Sequence, residues 1–438
     1  MKMELPSDFC CLMRQQYGDD MAERLFAGLA ADISVSVRLN RRKLYAAAGG
    51  LAATDEDKTL PSGGTAPSVV LAQEGKDVCD VPWCPSAFYL PERPPFTFDP
   101  LFHAGAYYVQ EASSMFLWHV LSQVCPELSS KPSALALDLC AAPGGKSTLV
   151  RSFLHEQAWL VSNEPIAKRA HILAENMTKW GAPHTLVAQN FPPDFRRQTD
   201  VFDLIICDVP CSGEGMFRKD EKAIEEWSLK NVETCWQRQR DIVEAIWPCL
   251  RPGGTIIYST CTFNHLEDED NVEWMVRTLG AELLHVNYDP AWGIVETQPG
   301  MLHFLPGVAR GEGFFIAALR KPGEALPKRT MLERDACIKR LSKALRMVSA
   351  PETQKVMAVD YDEALPRYEL TYDEAVAYLR HEALRFAPET AVPKGLVVVC
   401  YRGLPLGLVK NIGSRANNLY PDEWRIRTTH TTSFTLLP

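Results

Sequence analysis

From about Phe98 to Arg320 the chain alternates two hydrophobic patterns. The runs "ALALDLC", "AWLVSN", "HTLVAQ", "FDLIICD", "GGTIIYST" and "FFIAAL" are short, apolar and bounded by Gly, Pro, Asn or Asp, which predicts strands. Between several of them, "KRAHILAENMTKW" and "ETCWQRQRDIVEAIWPCL" space their apolar residues at helical period. Strand and helix in alternation predict a mostly parallel sheet covered by helices on both faces, an α/β fold.

The flanks read differently. Residues 1–43 combine a helical pattern with the alternating "SVSVRLN", followed by four basic residues between Arg38 and Lys43. Those charges suit either a solvated sheet edge or a phosphate-binding patch. Residues 46–77 are rich in Ala, Gly, Ser and Thr and are expected to form an insertion without catalytic function. After Pro322 comes a basic helical stretch, "KRTMLERDACIKRLSKALRMV", and then the β-like runs "GLVVVCYRG", "LPLGLVK" and "TSFTLLP". The expected division is therefore 1–97, 98–325 and 326–438, in keeping with ~100–200 residues per domain.

Composition narrows the function. No run approaches a membrane span, and the N-terminus carries acids and Gln where a signal peptide has an apolar core, so a cytoplasmic protein without a membrane partner is expected. The 13 cysteines include no CxxC pair, which argues against a disulfide framework and a structural zinc site. A net charge of -9 means that any nucleic-acid partner must be held by a local basic surface.

The candidate cofactor loop is "LALDLCAAPGGKST": a strand end, a Gly pair and a helix start. At the carboxyl end of a parallel strand such a loop can bring backbone against a ligand. Its spacing is neither GxGxxG nor GxxxxGK[ST], which weakens the dinucleotide and triphosphate readings. One helix-strand unit later, "SNEP" places Glu164 to accept ribose hydroxyls, and Asn190 follows "HTLVAQ", where it could meet an adenine edge or simply begin a turn.

Two further motifs hold cysteines: Cys211 in "CDVPCSGEG" and Cys261 in "YSTCTF". Residue chemistry alone does not rank them as nucleophiles. Cys140, Cys207 and Cys249 read as small buried hydrophobes. "HLEDEDNVEWM" gathers acids, but a first helical turn favours them through its dipole, and no His pair at ligand spacing joins them, so no metal is expected.

In this order, "LCAAPGGKS", "SNEP", "CDVPCSGEGMFR" and "GGTIIYSTCTF" resemble the motifs of the Sun-type RNA (cytosine-5)-methyltransferases. "SVRLN", "VPW", "GAYYVQEASSM" and "GLPLGLVKNIGSRANNLYP" extend the likeness to the RsmF-like ribosomal RNA branch. Val209 stands where the family has Ala, and Asn190 where Asp is common.

The resemblance implies a Rossmann-like methyltransferase sheet, a small N-terminal α/β domain and a C-terminal PUA-like, β-rich RNA-binding domain. The cofactor would be S-adenosylmethionine, released as S-adenosylhomocysteine, and the substrate RNA, expected to be 16S ribosomal RNA or the small subunit, with the enzyme a monomer. Cys140, Ala141, Ala142, Pro143, Gly144, Gly145, Lys146, Glu164, Asn190 and Asp208 would line the cofactor site. In DNA cytosine methyltransferases the proline-cysteine thiol attacks, which points to Cys211; the resemblance to the RNA family assigns attack to Cys261 and release to Cys211. Asp208 would engage the cytosine near N3, backed by Lys146.

The chemistry requires a thiol because adding a thiolate at carbon 6 makes carbon 5 of cytosine nucleophilic, and the sulfur can leave again. For RNA binding, "LVKNIGSRANNLYPDEWRIR" sets Lys410, Arg415, Arg425 and Arg427 among Asn417, Asn418, Tyr420 and Trp424, groups suited to phosphates, stacking and base edges. Three alternatives stand beside this reading: a transfer RNA substrate, methylation of an exocyclic amine, and a noncatalytic RNA-binding or ribosome-assembly protein.

Overall fold

The computed structural model describes residues 4–47, 78–324, 326–348, 365–386, 391–428 and 433–437. Of the expected insertion at 46–77, only the backbone of its first two residues falls within them.

The central sheet contains the six expected strands: Leu135–Asp138 (β5), Trp159–Asn163 (β6), Thr185–Ala188 (β7), Phe202–Asp208 (β8), Leu250–Thr260 (β9) and Phe314–Arg320 (β13). Four strands precede them in the chain: Val35–Leu39 (β1), Cys79–Asp80 (β2), Ala87–Leu90 (β3) and Tyr107–Val109 (β4). Between β9 and β13 lie Glu282–Leu284 (β10), Val295–Gln298 (β11) and Met301–Phe304 (β12), which the apolar-run reading missed because they are short and carry polar residues.

The central sheet order is β11-β12-β13-β9-β8-β5-β6-β7, with β9 to β7 parallel and β13 antiparallel to β9. Alternate residues of β8 face opposite layers, as period-two geometry requires. Leu204 and Ile206 pack with the helices Phe116–Val124 and Gly145–Phe153, and Ile205 and Cys207 with Leu229–Ile246 and Glu269–Leu279. The helix Met331–Ala344, beyond the expected junction at 325/326, joins this second layer through Ile338 and Leu341.

The N-terminal sheet has the order β2-β3-β1-β4, so β1 is internal rather than an edge. Two of the four basic residues in and beside it are correspondingly not part of the solvated edge or phosphate patch their charges suggested, while Arg41 and Arg42 are partly exposed. Arg38 and Lys43 are buried, and the ends of their side chains bond inward. Lys43 donates to the carbonyls of Ala104 and Lys179, closing the C-terminal end of the helix Ala167–Trp180. Arg38 stacks 4.5 Å from the Trp180 ring.

At the C-terminus, Arg367–Glu369 (β14), Gly395–Tyr401 (β15), Leu404–Asn411 (β16) and Ala416–Asn418 (β17) form a third sheet. "TSFTLLP" is not a strand over its described residues. Leu436 there packs into a core shared by the first and third sheets, and its N–H donates to Asp99. Among the described residues no helix is long and apolar enough to cross a membrane.

Candidate active site

Parallel pairing of β8 with β9 sets Asp208 beside Ser259. The loops carrying Cys211 and Cys261 therefore leave the same end of the sheet side by side, and the two Sγ atoms lie 3.1 Å apart. Gly215 N–H donates to the Cys261 carbonyl at 2.8 Å, and a Cβ at Gly215 would fall 2.6 Å from that oxygen. Only glycine lets the loops approach so closely. Contact with Cys261 and burial push the Cys211 thiol well above its ordinary value.

Beside the cysteines, Asp208 accepts from Lys146 Nζ at 2.8 Å and from Ser259 Oγ at 2.8 Å. Burial alone would depress Lys146, but the neighbouring Asp208 carboxylate holds the ammonium above its usual range. A fixed cation thus stands behind a carboxylate that keeps both oxygens hydrogen-bonded. Cys207 and Cys249 are buried, as expected of inert thiols, and burial raises Cys249 to about 12.

The loop from Cys140 to Lys146 follows β5, the strand between β8 and β6. Gly144 turns it with φ 119°, and the helix Gly145–Phe153 begins at the next residue. Asn163, which the sequence reading passed over, ties the neighbouring strand ends: its amide donates to Leu139 O and Asn190 O and accepts from Asn190 N. Arg38 reaches from the N-terminal sheet to donate to Gly145 O and Thr148 Oγ1, bracing the start of that helix.

The pocket end of this loop fits a nucleoside cofactor. Asp138 accepts from Ser147, yet its Oδ1 is buried without a hydrogen-bond partner, and burial raises its carboxyl to about 7. Glu164 is buried at the end of β6, accepting from Ile166 N and lying 3.4 Å from Arg169. Asn190 differs from expectation, because both ends of its amide bond the backbone of Arg346. Two apolar side chains beside these positions are exposed, Ile166 at 50% and Phe191 at 60%.

Behind Cys261 three of the four acids of "HLEDED", Glu267, Asp268 and Glu269, turn inward, while Asp270 is exposed. Asp268, Glu269 and His303 have the spacing of a metal site and are all buried, with His303 Nε2 2.7 Å from Glu269 Oε1. Tyr17, at the end of the N-terminal helix Ser7–Tyr17, lies 3.4 Å from the other ring nitrogen and donates to Phe263 O, linking this group to that helix.

On the third sheet, Lys410 faces Asn417 across β16 and β17, and Lys410 and Arg415 are exposed. Arg425 pairs with Asp422 at 2.8 Å. Asn418 departs from the expected RNA-facing role: its amide donates to Tyr378 O and Glu382 O and accepts from Tyr420 N, so it closes the fold instead.

Three family models match in succession: the N-terminal domain of 16S rRNA methyltransferase RsmF over 65–112, 16S rRNA methyltransferase RsmB/F over 127–320, and the methyltransferase RsmF PUA domain over 366–426. Ribosomal RNA small subunit methyltransferase F of Cronobacter sakazakii is 29% identical, with 92% of this chain and 95% of that protein covered. Its namesake from a Shewanella strain is 27% identical over 93% and 96%. A methyltransferase homolog from Pyrococcus horikoshii shares the fold, with a TM-score of 0.58, 24% identity and coverage of 73% of this chain and 96% of that one. With the paired cysteine loops, the Gly-turned cofactor loop and the appended PUA domain, the chain belongs to the Sun-type RNA (cytosine-5)-methyltransferase family, in its RsmF-like branch.

Proposed function

We propose that this enzyme methylates carbon 5 of a cytosine in 16S ribosomal RNA through a covalent adduct with Cys261. The observation that carries the reading is the 3.1 Å contact of Cys211 and Cys261 beside the Lys146–Asp208 pair. S-adenosylmethionine supplies the methyl group and leaves as S-adenosylhomocysteine.

Cys261 adds as thiolate to carbon 6, forming the C–S bond and leaving carbon 5 electron-rich. Asp208 holds the ring near N3, and Lys146 keeps that carboxylate in place. Contact with Cys261 is the largest influence holding the proton on Cys211. Attack converts Cys261 to a neutral thioether, which removes that influence and frees Cys211 to act on the adduct. The carbon 5 proton then passes to the Cys211 thiolate as the C6–S bond breaks and its electron pair returns to the Cys261 sulfur.

Gly144, Gly145 and the neighbouring Cys140–Pro143 backbone hold the cofactor, with Asp138 and Glu164 as its polar contacts and Ile166 and Phe191 flanking the adenine. Lys410, Arg415, Asn417 and Arg425 hold RNA. The RNA-binding unit proper is assigned to 366–426, with Met331–Ala344 a part of the catalytic body. A ribosomal RNA substrate places the activity in the cytoplasm.

The test is a methyl-transfer assay with small-subunit RNA. Cys261→Ala is expected to abolish transfer, and Cys211→Ala to leave a protein–RNA adduct that survives a denaturing gel. An adduct that requires Cys211 rather than Cys261 would reverse the roles, and turnover by Cys261→Ala would remove the covalent mechanism. Mapping 5-methylcytosine in ribosomal RNA from a strain lacking the gene identifies the target.

A further inference from the structure

The two cysteine loops do more than lie side by side, because each sends a buried glutamate into the other. Glu214, three residues past Cys211, accepts from the N–H groups of Phe263 and Asn264 at 2.7 and 3.1 Å, and from Thr262 Oγ1. Its other oxygen takes Trp227 Nε1 and Asn264 Nδ2, both at 3.0 Å. Glu267, from the Cys261 side, accepts from Ser212 N at 3.0 Å and Gln239 Nε2 at 2.7 Å. Asn264 Nδ2 bridges the pair, 2.8 Å from Glu267 Oε1.

Every neighbour these oxygens meet is a donor, a setting that only a carboxylate satisfies on both oxygens. Burial and the charge of Glu214 raise the Glu267 carboxyl to about 7, so two ionised acids at this depth cost stability. Holding the fold together does not require such a pair, whereas fixing the separation of two reacting sulfurs does.

We infer that Glu214 and Glu267 are positioning residues that clasp the Cys211 and Cys261 loops reciprocally and hold the two thiols in contact. The inference rests on both cysteines acting in one turnover, as proposed above. An amide in place of either carboxylate sets an NH2 against donors, so one strap opens and the sulfurs separate.

The experiment compares Glu214→Gln, Glu267→Gln and the wild-type protein in the rate at which diamide closes a Cys211–Cys261 disulfide. The two thiols give up two hydrogens to the diazene bond, forming the disulfide and a hydrazine. Closure is expected to slow about tenfold or more in each variant, with kcat for RNA methylation falling in parallel and KM for RNA unchanged. Where a Gln variant does not fold, Glu214→Asp and Glu267→Asp keep the charge but shorten the strap, and slowed closure is again expected.

Wild-type closure in a folded variant overturns the assignment, and so does slow closure with wild-type kcat when Cys211→Ala itself impairs turnover. Closure needs no RNA and does not depend on which sulfur attacks. Normal turnover by Cys211→Ala would therefore discard the two-cysteine reading while leaving the clasp measured.

Discussion

Behind Cys261 one carboxyl is held far more acidic than its depth would suggest. Burial alone would raise Glu269, but His303 at 2.7 Å and the nearby His265 bring it down to about 2. Its folded value lies below the ordinary 4.5, so the unfolded chain binds more protons between the two. The stabilisation is thus present above about pH 4.5 and is lost as pH falls toward 2. Glu269→Gln is expected to lower the unfolding free energy at pH 7 by about 1–3 kcal/mol. Urea titrations should show the gap closing below pH 4.5; a gap that does not change with pH would show that the charge of Glu269 contributes nothing. Cys211, Cys261, Asp208 and Lys146 were legible in the sequence because each follows a strand or opens a helix in a recognisable order. Glu267 and Glu269 were not, since a run of acids before a helix looks like a solvated first turn until its partners across the loops are known, and Glu214, a single acid between two glycines, carries no sign of burial in the sequence.

Among the elements, six strands of the central sheet and the helices Ala167–Trp180 and Leu229–Ile246 were readable from the hydrophobic pattern, and the short β10, β11 and β12 and the docking of the N-terminal helices were not. Ser7–Tyr17 and Asp19–Leu29 show an ordinary amphipathic pattern, which says that one face is buried but not against what. In the structure that face covers the backs of both cysteine loops. Phe9 is fully buried, with ring centroids 5.0 Å from Phe217, 5.6 Å from Trp227 and 6.5 Å from Phe263. Phe217 follows the Cys211 loop and Phe263 the Cys261 loop, so one side chain from the hairpin supports both. Phe9→Ala is expected to destabilise the protein by about 3–5 kcal/mol. It should also lower kcat in the folded fraction, because the cavity opens beneath the loops rather than in the remote sheet. Denaturant unfolding and methyl transfer, measured on the same preparation, separate the two effects; loss of stability with unchanged kcat would make the hairpin a cover without influence on the site.

For the whole molecule, the first and third sheets share a core, and this decides how RNA binding can be tested. Val37, Leu39 and Tyr107 pack in one cluster with Leu379, Val397 and Leu406, and Tyr372 donates to Phe98 O at 2.9 Å. Removing 366–438 would strip that core from the N-terminal sheet, whose Arg38 braces the cofactor helix, so a truncated enzyme confounds lost affinity with lost structure. Substitution of exposed charges avoids this. The chain carries a net charge of -9, so its attraction for RNA phosphates must come from a few local cations rather than the overall field. Lys410→Ser combined with Arg415→Ser should weaken RNA binding and flatten the log–log salt dependence by about 1.5, at roughly 0.7–0.9 for each phosphate no longer neutralised. The unfolding midpoint and kcat at saturating RNA should stay at their wild-type values. Asn418→Ala serves as the opposite control: its amide is committed to Tyr378 O and Glu382 O, so stability should fall by about 1–3 kcal/mol with no change in salt slope. If the double substitution leaves the slope unchanged, RNA does not run over β16 and β17.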